Sequence, residues 1–265
     1  MDSNDLAELF NAYKESPEPS YKVTSFFRIY SKLLSEFRYR PSVIIETGIL
    51  NGGSLFMWRK WFGKNARIIG VDLNPQAKKW EQHGFEIYIG DQADPVFWDS
   101  VYAAIGTPFD VLIDDGGHQS IQQMVTLESG MAHVRDHGVI LIEDTYASFM
   151  AEFSAHRVSS FLEYAKDATD LLNGRVRHFN SGSFPKDLNE KMIKKFDRCY
   201  SIEFFCGLVA FKFDPYEFEN RPMLCWNRAP AKMEKDFRFE GKQEALIDWP
   251  DLFTKKTIQV RGGKV

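Results

Sequence analysis

The 265-residue chain is 44% hydrophobic and 26% charged, a composition typical of soluble globular proteins. Its net charge of −4 at pH 7 argues against a nucleic-acid partner, because proteins that bind nucleic acids usually carry a basic surplus. The three cysteines lack metal-ligand spacing, and neither a signal peptide nor an apolar run of roughly 18–20 residues is visible. We therefore expect a cytoplasmic protein without a membrane span.

Two helices are predicted within residues 5–38, separated by a proline-containing break at residues 16–20. In the second helix, Phe26, Ile29, Tyr30 and Leu33 recur at helical spacing. This pattern favours a helix that packs on a sheet over the alternative of a helix that gates substrate entry.

A repeating strand–helix pattern follows. The predicted strands are Val43–Glu46, Ala66–Asp72, Phe85–Asp91, Phe109–Asp115 and Gly138–Asp144. The predicted helix after the first strand is Ser54–Phe62. Continuous apolar runs that alternate with helices indicate a parallel sheet covered on both faces.

Two further predicted strands, Cys199–Phe205 and Leu208–Phe213, are joined by a link too short for anything but an antiparallel pair. A parallel α/β sheet that ends in such a hairpin resembles the Rossmann-like class I methyltransferase fold more than the dehydrogenase fold. The whole chain, residues 1–265, is interpreted as a single domain.

Within this domain we distinguish an N-terminal helical segment (1–40), a cofactor-binding core (41–213) and a C-terminal extension (214–265). In the core, residues 152–172 are predicted to be helical, and residues 180–185 to form an exposed loop. The extension is expected to wrap the core or to serve homo-oligomer formation.

The strand Val43–Glu46 leads into a glycine-rich turn, a layout that builds a nucleotide-cofactor pocket at the carboxyl edge of a parallel sheet. Asp72 follows this turn at a distance that suits a carboxylate on ribose hydroxyls, and Asp91 with Gln92 is placed to meet an adenine edge. The residues assigned to the cofactor pocket are Glu46, Gly48, Asn51, Gly52, Gly53, Ser54, Asp72, Asp91, Gln92 and Asp114.

The glycine spacing, Gly48-x-x-x-Gly52-Gly53, departs from the Gly-x-Gly-x-x-Gly pattern of pyrophosphate-binding loops. Glu46 directly before the turn would repel a pyrophosphate but suits a cofactor with an ammonium group. These electrostatics favour S-adenosylmethionine over NAD, and an oxidoreductase that uses a dinucleotide is the alternative.

Two acidic clusters end the fourth and fifth predicted strands, Asp114-Asp115 and Glu143-Asp144. Carboxylates crowded at neighbouring strand ends repel one another unless a hard divalent cation such as Mg²⁺ is held between them. His118 follows across two glycines and is a candidate general base for a substrate hydroxyl. The other reading of the acids is that they are turn residues and helix caps.

The segments Glu46–Ser54, Ile69–Asp72, Asp115–His118 and Gly138–Tyr146 together resemble one group of S-adenosylmethionine-dependent enzymes. The group contains the cephalosporin-hydroxylase-type proteins and the macrocin and mycinamicin sugar O-methyltransferases. The resemblance covers roughly residues 41–150, with Gly117 where relatives often carry serine and His137 in place of a glycine.

The resemblance implies a metal-dependent O-methyltransferase that acts on a sugar hydroxyl or another hydroxylated small molecule. It implies that Asp115, Glu143 and Asp144 bind the metal, and that His118 is the base. Three alternatives stay open: a methyltransferase for phenols or catechols, a dinucleotide-dependent oxidoreductase, and a non-catalytic protein of the same fold.

Overall fold

The computed structural model describes residues 3–154, 159–173, 196 and 198–214. Nearly all of the predicted C-terminal extension and the predicted loop at 180–185 lie outside the described residues. Among the described residues, no helix combines the length and the apolar character that a bilayer crossing requires.

Seven strands form one sheet. They are β1 (Val43–Thr47), β2 (Arg67–Asp72), β3 (Glu86–Ile89), β4 (Phe109–Asp114), β5 (Val134–Ile142), β6 (Cys199–Phe205) and β7 (Leu208–Phe213). Their spatial order is β3-β2-β1-β4-β5-β7-β6. The first five strands of this order are parallel, and β7 lies antiparallel between β5 and β6. The predicted parallel sheet with a terminal antiparallel hairpin is confirmed.

Helices cover both faces of the sheet. They are α1 (Ser3–Lys14), α2 (Phe26–Leu34), α3 (Gly53–Phe62), α4 (Pro95–Ile105), α5 (Ser120–Met131) and α6 (Phe161–Asn173). Short 3-10 helices lie at Ser35–Phe37, Pro75–His83 and Thr145–Phe149.

Alternate residues of each central strand supply two separate cores. Ile44 packs with the residues of α1, α2 and α3, whereas the next residue, Ile45, packs with those of α4, α5 and α6. Trp58 on one side and Trp98 on the other are fully buried. A strand buried on both faces reads as a continuous apolar run, which is why the sequence pattern located β1 and β4 so closely.

Two predicted boundaries lie well away from the observed ones. The strand β5 begins at Val134 rather than Gly138, because the exposed residues 135–137 carry polar side chains that hide the extended backbone from an apolar pattern. The helix predicted from Glu152 begins only at Phe161 in α6. Glu152 instead lies in a turn that Met150 closes by accepting hydrogen bonds from the main-chain N–H groups of Phe153 and Ser154.

Candidate active site

The strand register brings the ends of four parallel strands to one level. Thr47 is aligned with Val71 on one side and Asp114 on the other, and Asp114 is aligned with Ile142. The residues that follow these four therefore emerge side by side at the carboxyl edge of the sheet, where open α/β sheets bind their ligands. They are Gly48, Asp72, Asp115 and Glu143.

A cavity of about 690 Å³ opens at this edge, a volume within the range of small-molecule sites. The predicted site residues that line it are Gly48, Asn51, Gly53, Ser54, Asp72, Asp91, Gln92, Asp115, His118, Glu143 and Asp144. The predicted residues Glu46, Gly52 and Asp114 are buried outside its lining. One cavity therefore joins most of the predicted cofactor and metal residues.

The turn after β1 depends on glycine at position 48. Gly48 has φ of +79°, and a Cβ atom there would collide with the main-chain carbonyl oxygen of Asp115. Its N–H donates to the carbonyl oxygen of Val71 at 2.8 Å, which continues the sheet ladder past the end of β1. Glycine here lets the backbones of the two strand ends approach each other, so the cofactor turn and the acidic turn are in contact.

The Asp72 carboxylate holds the glycine turn. Its Oδ2 accepts hydrogen bonds from the N–H groups of Ile49 at 3.1 Å and Leu50 at 3.2 Å, and its Oδ1 accepts one from Asn74 at 2.8 Å. An ionised carboxylate offers about four acceptor positions, so at least one is left for a ligand in the cavity. This capacity is compatible with the predicted contact to ribose hydroxyls.

Gln92 belongs to a buried polar network. Its amide nitrogen donates to both carboxylate oxygens of Asp114 at 3.0 and 3.1 Å and to Thr126, and its carbonyl oxygen accepts from the N–H of Gly117 at 2.8 Å. Burial raises the pKa of the Asp114 carboxyl, and the hydrogen bond from Gln92 opposes that rise. The network ties the residues after β3 to the turn after β4. Contact of Gln92 and Asp114 with a cofactor stays a prediction.

Lys22, from the segment between α1 and α2, places its ammonium group among the acids. Its Nζ lies 2.7 Å from Asp115 Oδ2, 3.1 Å from Glu46 Oε1 and 3.5 Å from Glu143 Oε2. The side chain is only 1% exposed. Burial alone would lower the pKa of Lys22, but the attraction of Asp115, Glu143 and Glu46 raises it well above its ordinary value, so the amine is positively charged at neutral pH.

Glu143 and Glu46 each have a second donor. The hydroxyl of Tyr30, on the buried face of α2, donates to Glu143 Oε1 at 2.5 Å. The Ser54 hydroxyl, in the first turn of α3, donates to Glu46 Oε2 at 2.6 Å. Burial raises the pKa of Glu143, while the Lys22 ammonium and the Tyr30 hydroxyl act in the opposite direction. Glu46 thus already accepts a hydrogen bond from an ammonium group, the chemistry predicted for its cofactor contact.

Asp115, His118 and Asp144 form a second group on the other side of the Asp115 carboxylate. One ligand atom from each lies within 4.8 Å of the others. His118 Nε2 is 3.4 Å from Asp144 Oδ2, whereas His118 Nδ1 and Asp144 Oδ1 are buried without a hydrogen-bond partner among the described residues. Oxygen and imidazole donors that converge with unused lone pairs suit a divalent cation.

Two residues of this group have left-handed backbones. His118 has φ of +56° and Asp144 has φ of +51°. Such conformations cost of the order of 1–3 kcal/mol for residues other than glycine and are concentrated at functional sites. Of the three predicted metal ligands, Asp115 and Asp144 share this group with His118, while Glu143 faces Lys22 and Tyr30.

Sequence reasoning missed Lys22 and the hydroxyl of Tyr30. Tyr30 was expected only as an apolar member of the buried face of α2, and that packing is present. No local signal marks Lys22, which lies in an irregular stretch 24 residues before Glu46 and 93 before Asp115. The sequence offered one indirect signal. Several acids were predicted to be buried with no basic residue near them in the sequence, which indicates a cation from a distant part of the chain.

No protein-family model matches the chain. Among curated proteins it is 31% identical over 131 residues to demethylmacrocin O-methyltransferase of Streptomyces fradiae, covering 47% of this chain and 32% of that enzyme. It is 29% identical over 197 residues to mycinamicin VI 2''-O-methyltransferase of Micromonospora griseorubida, covering 70% of this chain and 46% of that enzyme. The chain thus spans less than half the length of these relatives. The similarity to sugar O-methyltransferases inferred from the motifs is confirmed.

Among solved structures, the MycE methyltransferase of the mycinamycin biosynthetic pathway, in complex with Mg and SAH, superposes with a TM-score of 0.65. The match covers 79% of this chain and 54% of that chain at 22% identity. The chain has the class I methyltransferase fold. A second structure of the same methyltransferase, with Mg, SAH and mycinamycin VI, gives a TM-score of 0.63.

The class I methyltransferase fold accounts for the position of the cavity. Its parallel strands end at the glycine turn on one side and at the two acidic turns on the other. All three turns therefore line one cavity at the same sheet edge. At this level of identity the superposition establishes the fold alone.

Proposed function

We propose that the protein is an S-adenosylmethionine-dependent and Mg²⁺-dependent O-methyltransferase that acts on a hydroxyl of a sugar or of a glycosylated small molecule. The observation that carries the proposal is the shared cavity: the glycine turn after β1 and the Asp115, His118 and Asp144 group line the same space. The names of the curated relatives, all O-methyltransferases, support the reaction type.

The cofactor pocket is proposed at the turn between β1 and α3. Glu46 is suited to an ammonium group, since its Oε1 already accepts from the ammonium of Lys22 at 3.1 Å. Asp72 retains acceptor capacity for ribose hydroxyls, and Asp91 lies further along the same wall. S-adenosylmethionine bound there supplies an electrophilic methyl group.

The metal is proposed at the ends of β4 and β5, held by Asp115, Glu143 and Asp144. Mg²⁺ prefers carboxylate oxygens, and bound there it supplies positive charge that lowers the pKa of an acceptor hydroxyl. The unused Oδ1 of Asp144 and the convergent Asp115 carboxylate fit that requirement. Tyr30 would orient Glu143 through its hydrogen bond.

His118 is proposed as the general base. Its ring lines the cavity beside Asp115 and Asp144, and its side chain is 24% exposed, so an acceptor hydroxyl can reach it. The His118 imidazole would take the hydroxyl proton, which would leave the acceptor oxygen free to react with the electrophilic methyl group that bound S-adenosylmethionine would supply. The protein's main contribution is to hold donor, acceptor and base in line.

The test is methyl transfer from labelled S-adenosylmethionine to a panel of acceptors, with Mg²⁺ or with EDTA. The panel contains glycosides that carry neighbouring free sugar hydroxyls, the same aglycones without sugar, and catechols. We expect Mg²⁺-dependent label on the glycosides alone. Label on catechols alone would favour the phenol alternative, and full activity in EDTA would contradict the metal's role.

A further inference from the structure

Lys22 holds the place that a cation shared by Asp115 and Glu143 would take. Its Nζ lies 2.7 Å from Asp115 Oδ2 and 3.5 Å from Glu143 Oε2, and these are two of the three proposed metal ligands. Mg²⁺ binds carboxylate oxygens at about 2.0–2.1 Å, so an ion bound to both carboxylates would need oxygen positions that the ammonium uses. Two cations this close also repel each other strongly when they are buried.

The segment that carries Lys22 has no regular secondary structure to hold this residue in place. Residues 15–25 form neither helix nor strand apart from turns, so displacement of Lys22 breaks no regular hydrogen-bond ladder. Upstream, the Ser16 hydroxyl donates to the carbonyl oxygen of Gly53 at 2.8 Å, and Tyr13 donates to that of Ser20 at 3.0 Å. The adjacent Tyr21 is 88% exposed. The segment is thus anchored before Lys22, and its exposed neighbour leaves room for outward movement.

We propose that Lys22 is a resident cation of the active site that is exchanged for the divalent metal. Without metal, the ammonium offsets part of the negative charge of Glu46, Asp115 and Glu143, and it keeps the buried Glu46 and Glu143 compatible with the folded state. When Mg²⁺ binds, Lys22 leaves the cluster and becomes accessible to solvent. The inference rests on the proposed function, because it takes Asp115 and Glu143 as metal ligands.

The exchange also connects the two pockets. Lys22 Nζ contacts the proposed metal ligands and also donates a hydrogen bond to Glu46, whose other donor is Ser54. Glu46 is the acid proposed to accept the ammonium group of the cofactor. Departure of Lys22 therefore releases Glu46 Oε1 for the cofactor in the same step. Metal binding is expected to strengthen cofactor binding through this shared acid.

The decisive experiment measures the reactivity of the Lys22 amine in the full chain, freed of metal with EDTA, without cofactor, before and after addition of saturating Mg²⁺. An amine-acylating reagent labels exposed lysines, and mass spectrometry gives the labelling rate at each site. We expect the Lys22 amine to be protected from the reagent without metal and to react about tenfold faster or more with Mg²⁺. The reason is that the conformation with an exposed Lys22 amine changes from a minor to the major population. The exposed Lys64 is the internal control and should not change.

Calorimetry of Mg²⁺ binding on the same sample separates the two proposals. If Mg²⁺ binds while Lys22 stays protected, or if Lys22 is already reactive without metal, the exchange is wrong and the proposed metal site survives. If no Mg²⁺ binding is detected, the exchange and the metal-dependent function both fail.

A variant pair gives a second, independent measurement. Lys22→Met removes the competing ammonium while keeping the apolar stem, and it should tighten Mg²⁺ binding about tenfold if the ammonium occupies the cluster about nine-tenths of the time. Lys64→Met removes the same charge from an exposed site and should leave the affinity within about twofold. Equal affinity of Lys22→Met and wild type would overturn the exchange, and the labelling experiment decides if the variant does not fold.

Discussion

The two halves of the cavity are stabilised in different ways. In the half proposed for the cofactor (the cofactor half), after β1 to β3, the half-buried Asp72 and the exposed Asp91 accept hydrogen bonds from main-chain N–H groups of their own turns or of the neighbouring glycine turn. In the metal half, after β4 and β5, Asp115 and Glu143 instead depend on side chains from the N-terminal segment, the ammonium of Lys22 and the hydroxyl of Tyr30.

This difference separates what local sequence specifies from what tertiary structure supplies. Main-chain donors within a turn come with the turn itself, so the hydrogen bonds of Asp72 and Asp91 form wherever these turns fold. The Asp115 and Glu143 carboxylates share one lysine, so their negative charges are not fully balanced, which favours a further cation. The metal half is therefore the half that should respond to cations.

The largest expected effect comes from Asp115→Ala, which removes the acid common to the Lys22 cluster and the His118 group. Turnover with any acceptor that the wild type methylates should become undetectable, and Mg²⁺ binding should be lost. Binding of S-adenosylhomocysteine should stay within a few-fold, since the cofactor half keeps its own hydrogen bonds. Calorimetry with each ligand separately checks this. Loss of both affinities would show that the two halves of the cavity do not bind their ligands independently.

His118→Ala tests the proposed base while leaving every carboxylate of the metal half in place. Loss of a general base typically lowers the rate by about 10²–10⁴-fold, and we expect that decrease in kcat with Mg²⁺ and cofactor affinities preserved. The exposed His83, which contacts Phe56 and Trp80 outside the cavity, is the control when replaced by alanine. A His118→Ala rate within about threefold of wild type would exclude the base role.

Gly48→Ala tests the contact between the halves. Gly84 has nearly the same φ, +81° against +79°, but a Cβ there meets nothing within 4 Å, whereas a Cβ at Gly48 strikes the Asp115 carbonyl oxygen. Gly84→Ala should cost about 1–2 kcal/mol in free energy of unfolding, the penalty of a left-handed backbone alone. Gly48→Ala should cost about 1–3 kcal/mol more, as overpacking does. If urea unfolding gave equal losses of unfolding free energy for the two variants, the contact of position 48 with the Asp115 carbonyl oxygen would not contribute to stability.

Asp72→Ala tests the cofactor half on its own. A hydrogen bond to a charged group contributes about 1.5–3 kcal/mol, so the Kd for S-adenosylhomocysteine should rise about 10- to 100-fold. The affinity for Mg²⁺ should be unchanged, the mirror image of the Asp115→Ala result. A parallel fall in both affinities would contradict the division of the cavity.

The smallest effect is expected at the ion-pair group of Glu203, Lys32 and Lys212, which links β6 to α2, the helix that carries Tyr30. Glu203 in β6 lies 2.5 Å from Lys32 and 3.5 Å from Lys212. Burial acts to raise the pKa of Glu203, but these lysines outweigh it and lower the pKa below its ordinary value of 4.5. This ion-pair group therefore contributes stability above pH 4.5, and that stability is lost as the pH falls through the lowered pKa of Glu203.

Glu203→Gln should accordingly reduce the free energy of unfolding by less than about 1 kcal/mol at pH 7, as expected for a partly exposed ion pair. The difference between variant and wild type should disappear in acid. Urea titrations at pH 7 and pH 3 measure it, and a difference that grows in acid would reverse the assigned sign.

The sequence predicted the fold and the position of the glycine turn after β1 for the same physical reason. Strands buried on both faces produce apolar runs such as that of β4, and a glycine followed by a helix start marks the turn after β1. Asp115 and Glu143 could also be located, because each directly follows an apolar strand, and Asp144 is the next residue after Glu143. Lys22 could not, since an irregular segment has no periodicity and its partners are distant in the chain.

We propose that one cavity holds an adenosyl cofactor at the glycine turn and a divalent ion at the ends of β4 and β5. A crystal of the protein grown with S-adenosylhomocysteine and Mn²⁺, measured for anomalous scattering, tests both parts at once. We expect one manganese peak within bonding distance of Asp115, Glu143 and Asp144, with the adenosyl group against Gly48. A peak away from these acids, or a glycine turn without the cofactor at saturating concentration, would contradict it.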